Sequence, residues 1–288
     1  MWTQKRFGPD RGIYAVVEQP EMCTGAKPLV VTLAGLGQAM SEKNYLFSNL
    51  RKRLALDGHW IVQFDYRGHG DSYGELGETS ISSMVNDTLT VLEEITLVDK
   101  PSRVYLIGNA LGAVIAQTVA LHWEERTKIE SVPILISPFL DKLPPAKEVF
   151  AAETLARLEK EGVIDSQILV PGFDYYQLTD FDPVQFDYIT RLGAHLLYLH
   201  GQCIGKRMLD ELDELEPVSL YNQNKHGLHL ICGELDVETW ESARKLERVN
   251  LYRLSDVTHF FRHPAAMDQL IEIVRTILTE DSHYRKER

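Results

Sequence analysis

The stretch that decides the fold begins with the apolar run Val104-Tyr-Leu-Ile107, which has the composition of a buried strand. It continues directly into Gly108-Asn-Ala-Leu-Gly112 and then into the mostly apolar helical stretch Ala113-Val-Ile-Ala-Gln-Thr-Val-Ala-Leu121. Glycines on both sides of Ala110 permit a sharp strand-to-helix turn, because larger side chains would collide with the neighbouring strand or helix. Such a turn presents its central side chain above a sheet and places the following N–H at a helix N-terminus.

Outward from this stretch, short β-rich runs alternate with amphipathic helical patterns. That alternation predicts an α/β fold, a mostly parallel sheet with helices on both faces. The predicted strands are Leu29–Leu33, Trp60–Phe64, Val104–Ile107, Val132–Ile136, Leu228–Cys232 and Val249–Leu254, with Ile13–Val17 as an antiparallel edge strand. Helices are expected near residues 42–57, 80–96, 111–125 and 239–248, and a last helix is expected from Pro264.

The alternation stops between about residues 140 and 225, where Pro144-Pro145 is followed by a helical stretch, Glu148–Glu161, and an aromatic, acidic region. We interpret residues 140–225 as an inserted, mainly helical cap, and residues 1–139 and 226–288 as the core domain. Tyr175, Tyr176 and Phe181 are candidate substrate-binding residues of this cap. Their aromatic side chains suit an acyl pocket and suit packing within the cap equally well.

Composition limits the possible partners. The 288 residues carry 30 Lys and Arg against 42 Asp and Glu, a formal charge of −12, which argues against nucleic acid as a partner. The longest weakly polar run, Leu111–Leu121, is too short to span a membrane. Three widely spaced cysteines and no secretory pattern near Met1 favour the cytoplasm. The pair His195 and His200 has no evident third ligand, so neither a metal nor another cofactor is expected.

Five short motifs, in order along the chain, resemble those of the α/β-hydrolase superfamily, and in particular its capped serine hydrolases. They are Leu33-Ala-Gly-Leu-Gly37, Asp65-Tyr-Arg-Gly-His-Gly-Asp-Ser72, Gly108-Asn-Ala-Leu-Gly112, Gly233-Glu-Leu-Asp236 and Ser255-Asp-Val-Thr-His-Phe-Phe261. The resemblance covers roughly residues 28–139 and 226–280. Each motif is weak by itself, and the common order makes the resemblance specific.

The resemblance implies a Ser-His-Asp triad, with the nucleophile position at Ala110, the acid at Asp236 and the base at His259. Asp141 is near an alternative acid position of the superfamily. Within the second motif, His69 and Ser72 are interpreted as structural residues of a turn.

The backbone N–H groups of Leu36 and Leu111 would then form the oxyanion hole. Two departures from the family pattern stand out. Ala34 replaces the usual histidine of the oxyanion-hole motif, and Ala110 replaces the serine of G-x-S-x-G.

Ala110 leaves three accounts of the function open, because a methyl group cannot attack a carbonyl. In the first, the chain is an inactive or trapping form of a hydrolase of acyl esters, thioesters or amides. In the second, it is a natural non-hydrolytic binding protein. In the third, His259 and Asp236 act as a general base without covalent catalysis. The expected partner is a small-molecule or peptidyl acyl substrate, and the sequence does not choose among the acyl classes.

Overall fold

A computed structural model of the chain describes residues 2–20, 27–170, 182–194 and 202–283. Ten strands are present in this part of the chain: β1 Trp2–Phe7, β2 Ile13–Glu18, β3 Leu29–Leu33, β4 Trp60–Phe64, β5 Val104–Asn109, β6 Ser131–Ile136, β7 Val163–Asp165, β8 Cys203–Gly205, β9 Leu228–Gly233 and β10 Val249–Leu254. Eight of them form one sheet in the order β1-β2-β4-β3-β5-β6-β9-β10. From β4 to β10 every neighbouring pair is parallel, which confirms the predicted α/β fold.

Helices cover both faces of this sheet. They are α1 Leu46–Leu56, α2 Ile81–Ile95, α3 Leu111–Thr127, α4 Ala146–Val149, α5 Ala152–Glu161, α6 Ser166–Leu169, α7 Pro183–Arg191, α8 Lys206–Glu214, α9 Pro217–Asn222, α10 Val237–Ala243 and α11 Pro264–His283. Alternate residues of β3 show the two layers, since Val31 packs in an apolar cluster with α2 and α3 while Val30 packs in another with α1 and α11. The sheet therefore has a buried core on each side, and this is why the residues of its central strands are buried and mostly apolar.

Two predicted elements differ from the structure. Ile13–Val17 is not an edge strand, because β1 pairs antiparallel with β2 and forms the edge itself. The edge was missed because the residues of β1 are mostly polar and exposed, so they show no apolar alternation. The single helix expected over Glu148–Glu161 is two helices, α4 and α5, because Phe150 between them is extended and buried.

The residues between β6 and β9 carry α4–α9 and a small antiparallel sheet of β7 and β8 in the described part of the chain. Phe150 and Tyr188 meet there edge to face, with ring centroids 5.3 Å apart. Tyr175, Tyr176 and Phe181 lie outside the described residues, as do Cys23, His195 and His200. Within the described ranges, no helix is both long and apolar enough to cross a membrane.

Candidate active site

The turn between β5 and α3 has the predicted shape. Ala110 adopts φ 51° and ψ −116°, a conformation that L-residues rarely occupy, and its N–H donates to the Ile136 carbonyl at 3.0 Å. A Cβ atom on Gly108 would lie 2.0 Å from the Gly112 carbonyl oxygen, and one on Gly112 would lie 2.1 Å from the Leu33 carbonyl oxygen. Both glycines are therefore required by the close approach of strand and helix.

Ala110, Asp236 and His259 line the same cavity of about 430 Å³ above the carboxyl ends of the parallel strands. This is the edge at which α/β sheets bind their ligands. Much of the cavity wall is apolar, and its apolar side chains include Phe139, Leu140, Leu235, Val237, Phe260 and Phe261. Leu235 and Val237 are more than half exposed, so apolar surface continues from the cavity to the outside.

Asp236 and His259 follow the carboxyl ends of β9 and β10. Asp236 precedes α10, and its carboxylate accepts a hydrogen bond from the Thr239 N–H at 3.3 Å. The ring of His259 is partly buried and stacks on Phe261, with centroids 5.1 Å apart. Burial lowers the pKa of His259, and the nearby charge of Asp236 opposes this shift only in part. A neutral imidazole at pH 7 follows, which is the form that accepts a proton.

Asp141 lies on the same cavity but has other partners. Its carboxylate accepts hydrogen bonds from the Lys245 ammonium at 2.7 Å and from the Ser242 hydroxyl, and these contacts lower its pKa. The carboxylate whose charge acts on His259 is that of Asp236.

Residues 34–40 follow β3 and contain Leu36, one of the two expected oxyanion donors, and we call them the oxyanion loop after that expectation. Four of its N–H groups donate to acceptors outside the loop. Gly35 donates to the Glu42 carboxylate at 2.8 Å, Gly37 to His69 Nε2 at 3.0 Å and Met40 to the Asp65 carboxylate at 2.6 Å. The fourth is Leu36, whose N–H donates at 3.1 Å to the carbonyl of Leu192.

The other expected donor, Leu111, is the first residue of α3. First-turn N–H groups have no acceptor within their own helix, so this N–H points out of the helix end beside Ala110.

The Leu192 carbonyl belongs to residues 190–194, which we call the covering turn, at the end of α7. Gly193 in this turn has φ 77°, and a Cβ on it would lie 3.1 Å from the Ala110 Cβ and 3.3 Å from the Gly35 Cα. The Gln38 side-chain amide donates to the Gly193 carbonyl at 2.9 Å. The covering turn therefore lies directly on the turn at Ala110 and occupies the Leu36 donor.

Sequence reasoning missed Glu42, which fixes the oxyanion loop through hydrogen bonds to its carboxylate. Its buried carboxylate accepts hydrogen bonds from the N–H groups of Gly35 and Lys43 and from the Asn109 side chain. Burial raises its pKa despite these bonds. No sequence pattern around Glu42 predicts this role, because its partners Gly35 and Asn109 lie on a loop and at the end of β5.

The structural interpretation of the Asp65–Ser72 loop is confirmed. The Ser72 hydroxyl donates to the Asp65 carbonyl at 2.6 Å and accepts from the Tyr14 N–H at 2.8 Å. His69 is buried, and burial lowers its pKa to about 4, so its neutral ring accepts the Gly37 N–H.

Three polar atoms at the cavity were also missed: Asn109 Oδ1, Ser137 Oγ and Thr190 Oγ1. All three are buried, and none has a hydrogen-bond partner in the described part of the chain. Ser137 directly follows β6 and has φ 42°. Buried polar atoms are normally hydrogen-bonded, so three such atoms around Ala110 indicate a place for a ligand or water. Among the described residues, no cluster of His, Cys, Asp and Glu could hold a metal ion.

Comparison with known proteins finds relatives by sequence similarity. Lysophosphatidylserine lipase ABHD12 of Bos taurus is 27% identical over 210 residues, which cover 70% of this chain and 46% of that protein. The protein of the same name from Gallus gallus is 37% identical over 161 residues, covering 53% of this chain and 38% of that protein. The chain thus spans less than half the length of these relatives.

Solved structures share the fold. A putative hydrolase from Agrobacterium vitis S4 superposes with a TM-score of 0.68 at 18% identity, over 96% of this chain and 98% of that one. A monoacylglycerol lipase from Paleococcus ferrophilus does so with a TM-score of 0.60 at 19% identity, over 93% and 98%. Residues 25–176, more than half of the chain, match the model of the family described as "Serine aminopeptidase, S33". The chain therefore belongs to this family of α/β hydrolases.

Proposed function

We propose that this chain carries the site of an acyl-ester hydrolase, with Ala110 at the nucleophile position, so that it binds acyl esters without cleaving them. The observation that carries the proposal is the backbone of Ala110. Its strained conformation is retained between two glycines whose replacement would clash, although alanine gains nothing from being presented above the sheet. The cavity at this residue also contains Asp236 and His259.

The chemistry follows for a serine at position 110. His259 removes the hydroxyl proton while the serine oxygen bonds to the acyl carbon, and the Asp236 charge stabilises the imidazolium. The N–H groups of Leu111 and Leu36 receive the oxyanion, which requires Leu36 to leave the Leu192 carbonyl. The alcohol departs with the proton from His259. Water then cleaves the acyl-enzyme through the same histidine.

The acyl chain is assigned to the apolar part of the cavity, next to Phe139, Leu140 and Leu235. We propose that residues 140–225 act as a cap over this site, and the covering turn supports this because it contacts the turn at Ala110. Tyr175, Tyr176 and Phe181 remain predicted substrate contacts within that cap. Esters are preferred to thioesters and amides because two similar proteins are named as lipases.

The decisive experiment is Ala110→Ser, assayed on p-nitrophenyl acyl esters, acyl thioesters and peptide amides, with a fluorophosphonate probe. Loss of a catalytic serine typically lowers turnover on the order of a million-fold, so the serine variant is expected to gain ester hydrolysis and covalent labelling at residue 110. The matched control is the double variant with His259→Ala, which should lose both. A serine variant that hydrolyses none of these substrates and takes no probe contradicts the proposal.

The pH dependence of the serine variant provides a separate check. Because burial lowers the pKa of His259, the proton-accepting form persists at pH values where an ordinary histidine is already charged. We expect kcat/KM to rise with pH to a plateau, with a midpoint below about 6.5, the usual histidine value. Measurements of kcat/KM from pH 4.5 to 8 test this, and a midpoint above that value would contradict the assigned environment.

A second candidate, a non-hydrolytic binding protein, is favoured by the hydrogen bond between Leu36 and Leu192, which occupies an oxyanion donor. A ligand that binds the unaltered chain tightly, and that the serine variant never cleaves, would support it. Turnover by the unaltered chain that disappears in His259→Ala would support general-base chemistry instead.

A further inference from the structure

We propose that Lys43 and Arg262 form a subsite for an anionic group of the bound amphiphile, next to its acyl ester. This inference rests on the proposed function, because it concerns the ligand of the same cavity. It assigns the ligand a class: an acyl compound that carries a carboxylate or phosphate close to the ester.

Lys43 supplies the first cation. It follows the buried Glu42, lines the cavity and holds its ammonium 3.6 Å from the centroid of the Phe261 ring. Burial and the charge of Arg262 lower the pKa of Lys43 to about 8, so most of the side chain is still protonated at pH 7. The cavity therefore has a partly desolvated positive charge in its wall.

Arg262 supplies the second cation from the opposite end of the chain. Its guanidinium lies 5.5 Å from the centroid of the same Phe261 ring, and that ring stacks on His259. The charges of both Lys43 and Arg262 lower the pKa of His259. Two positive charges thus converge around one aromatic ring beside the histidine.

Neither cation is neutralised by an ion pair among the described residues. The acid whose charge acts on Lys43 is Glu42, whose carboxylate accepts hydrogen bonds from the Gly35 and Lys43 N–H groups and from the Asn109 side chain. Asp236, the other acid beside His259, caps α10.

Several other charged residues of the cavity wall form ion pairs. Arg191 binds Asp187 and Glu238, and Lys245 binds Asp141. Lys43 in the wall and Arg262, which is exposed beside Phe261, have no such partner among the described residues, in a chain whose formal charge is −12.

Physical chemistry favours an anion at this position. Keeping two like charges close together and one of them partly desolvated costs free energy, and a bound anion recovers part of it. An ammonium and a guanidinium both form charge-assisted hydrogen bonds with carboxylates and phosphates. The unpartnered hydroxyls of Ser137 and Thr190 lie on the same cavity and add two neutral donors for polar groups near the ester.

Calorimetric titration of the unaltered chain tests the subsite directly, because a chain without a serine at position 110 leaves the ligand intact. The probes are dodecyl phosphate, dodecanoate and uncharged 1-O-dodecylglycerol, each below its micelle concentration. We expect at least one anion to bind about 10-fold more tightly than the uncharged probe. The comparison of the two anions decides between phosphate and carboxylate.

Substitutions then locate the charge preference. Lys43→Met should remove most of it, Arg262→Gln should reduce it about 3-fold, and Lys43→Arg should retain it. Lys147→Met, which removes an exposed lysine of α4 away from the cavity, is the matched control and should change no Kd. Circular dichroism confirms that each variant is folded.

Equal affinity for the charged and uncharged probes overturns the proposal, as does an anion preference that survives Lys43→Met and Arg262→Gln together, or no binding of any probe. The parent proposal fails separately. If Ala110→Ser cleaves uncharged esters and the titrations show no anion preference, only the subsite is wrong. If the titrations show the subsite and Ala110→Ser is inactive on all esters, only the hydrolase assignment is wrong.

Discussion

The two walls around Ala110 are held in different ways. The oxyanion loop, residues 34–40, is fixed by buried polar side chains: Glu42, Asp65 and His69 accept the N–H groups of Gly35, Met40 and Gly37. The covering turn, residues 190–194, meets this loop through two hydrogen bonds from Leu36 and Gln38 to its own carbonyls.

The difference indicates which wall moves when a ligand enters. Freeing the oxyanion loop leaves buried donors without acceptors, whereas withdrawing the covering turn breaks two bonds whose groups water can replace. We therefore expect the oxyanion loop to stay in place and the covering turn to withdraw, releasing the Leu36 N–H for an oxyanion. Four changes test this contrast.

The largest effect is expected from Glu42→Ala, which removes a buried hydrogen-bond acceptor of the oxyanion loop. It leaves the Gly35 N–H and the Asn109 amide without their acceptor, and we expect a loss of about 3 kcal/mol in the free energy of unfolding. Glu42→Gln retains an acceptor for Gly35 and should cost about 1 kcal/mol. Urea unfolding measures both. Equal losses in the two variants would show that the carboxylate does not fix the loop through these bonds.

His69 makes the stability of the folded chain sensitive to acid. Its pKa of about 4 in the folded chain lies below the ordinary value of about 6.5, so on acidification the unfolded chain binds a proton that the folded chain does not. This contribution to stability is complete above the unfolded pKa and is lost as the pH falls towards the folded one. Relative to His69→Gln, which does not titrate, the unaltered chain should lose about 2 kcal/mol between pH 7 and pH 5. Urea unfolding at both pH values measures the difference, and a constant difference would refute a buried neutral His69.

Gly193→Ala tests the covering turn. The added methyl meets Ala110 and Gly35, and Gly162→Ala is a matched control because Gly162 has the same φ of 77° with no atom within 4 Å of its Cβ position. Both variants should lose about 1 kcal/mol from backbone strain. Gly193→Ala should lose about 1 kcal/mol more by crowding the turn at Ala110. Faster amide exchange of Leu36 in Gly193→Ala alone would show the turn withdrawing, and identical behaviour of the two variants would contradict the contact.

The smallest effect is expected from Gln38→Ala, which removes one of the two bonds to the covering turn. We expect amide exchange at Leu36 to accelerate about 5-fold, because a bond of this kind contributes about 1 kcal/mol. Gln185→Ala is the control, since Gln185 Nε2 donates to the Val149 carbonyl at the same 2.9 Å within residues 140–225. Exchange at Leu36 should not change in that control. No acceleration in Gln38→Ala would mean that the turn is held by other contacts.

The central sheet could be predicted because its strands are short, mostly apolar runs bounded by turn residues, as in β3 and β5. The turn at Ala110 could be predicted for a local reason, since Gly108 and Gly112 are spaced as a strand-to-helix turn demands. The edge strand β1 could not, because edge strands are half solvated and need no apolar pattern.

The polar contacts of the site could not be predicted either. Glu42 and its acceptor role depend on Gly35 and Asn109 meeting in space, and Lys43 and Arg262 are 219 residues apart in the sequence. Local patterns carry no information about such pairs. The sequence likewise leaves Asp141 open as an alternative to Asp236, and only the structure shows that the Asp141 carboxylate binds Ser242 and Lys245.

The sequence by itself determined the sheet, the order of the motifs and the residue at the centre of the turn, because these depend on local composition and spacing. Only the tertiary structure decided which donors at the site are already occupied and which charges lack a partner. Those properties arise where loops from distant parts of the chain exclude water together, and hydrogen bonds and charges acquire their energetic weight only after that exclusion. Both levels contribute at Ala110. Its position in the turn follows from the sequence, whereas its strained backbone and the cavity around it follow from the fold.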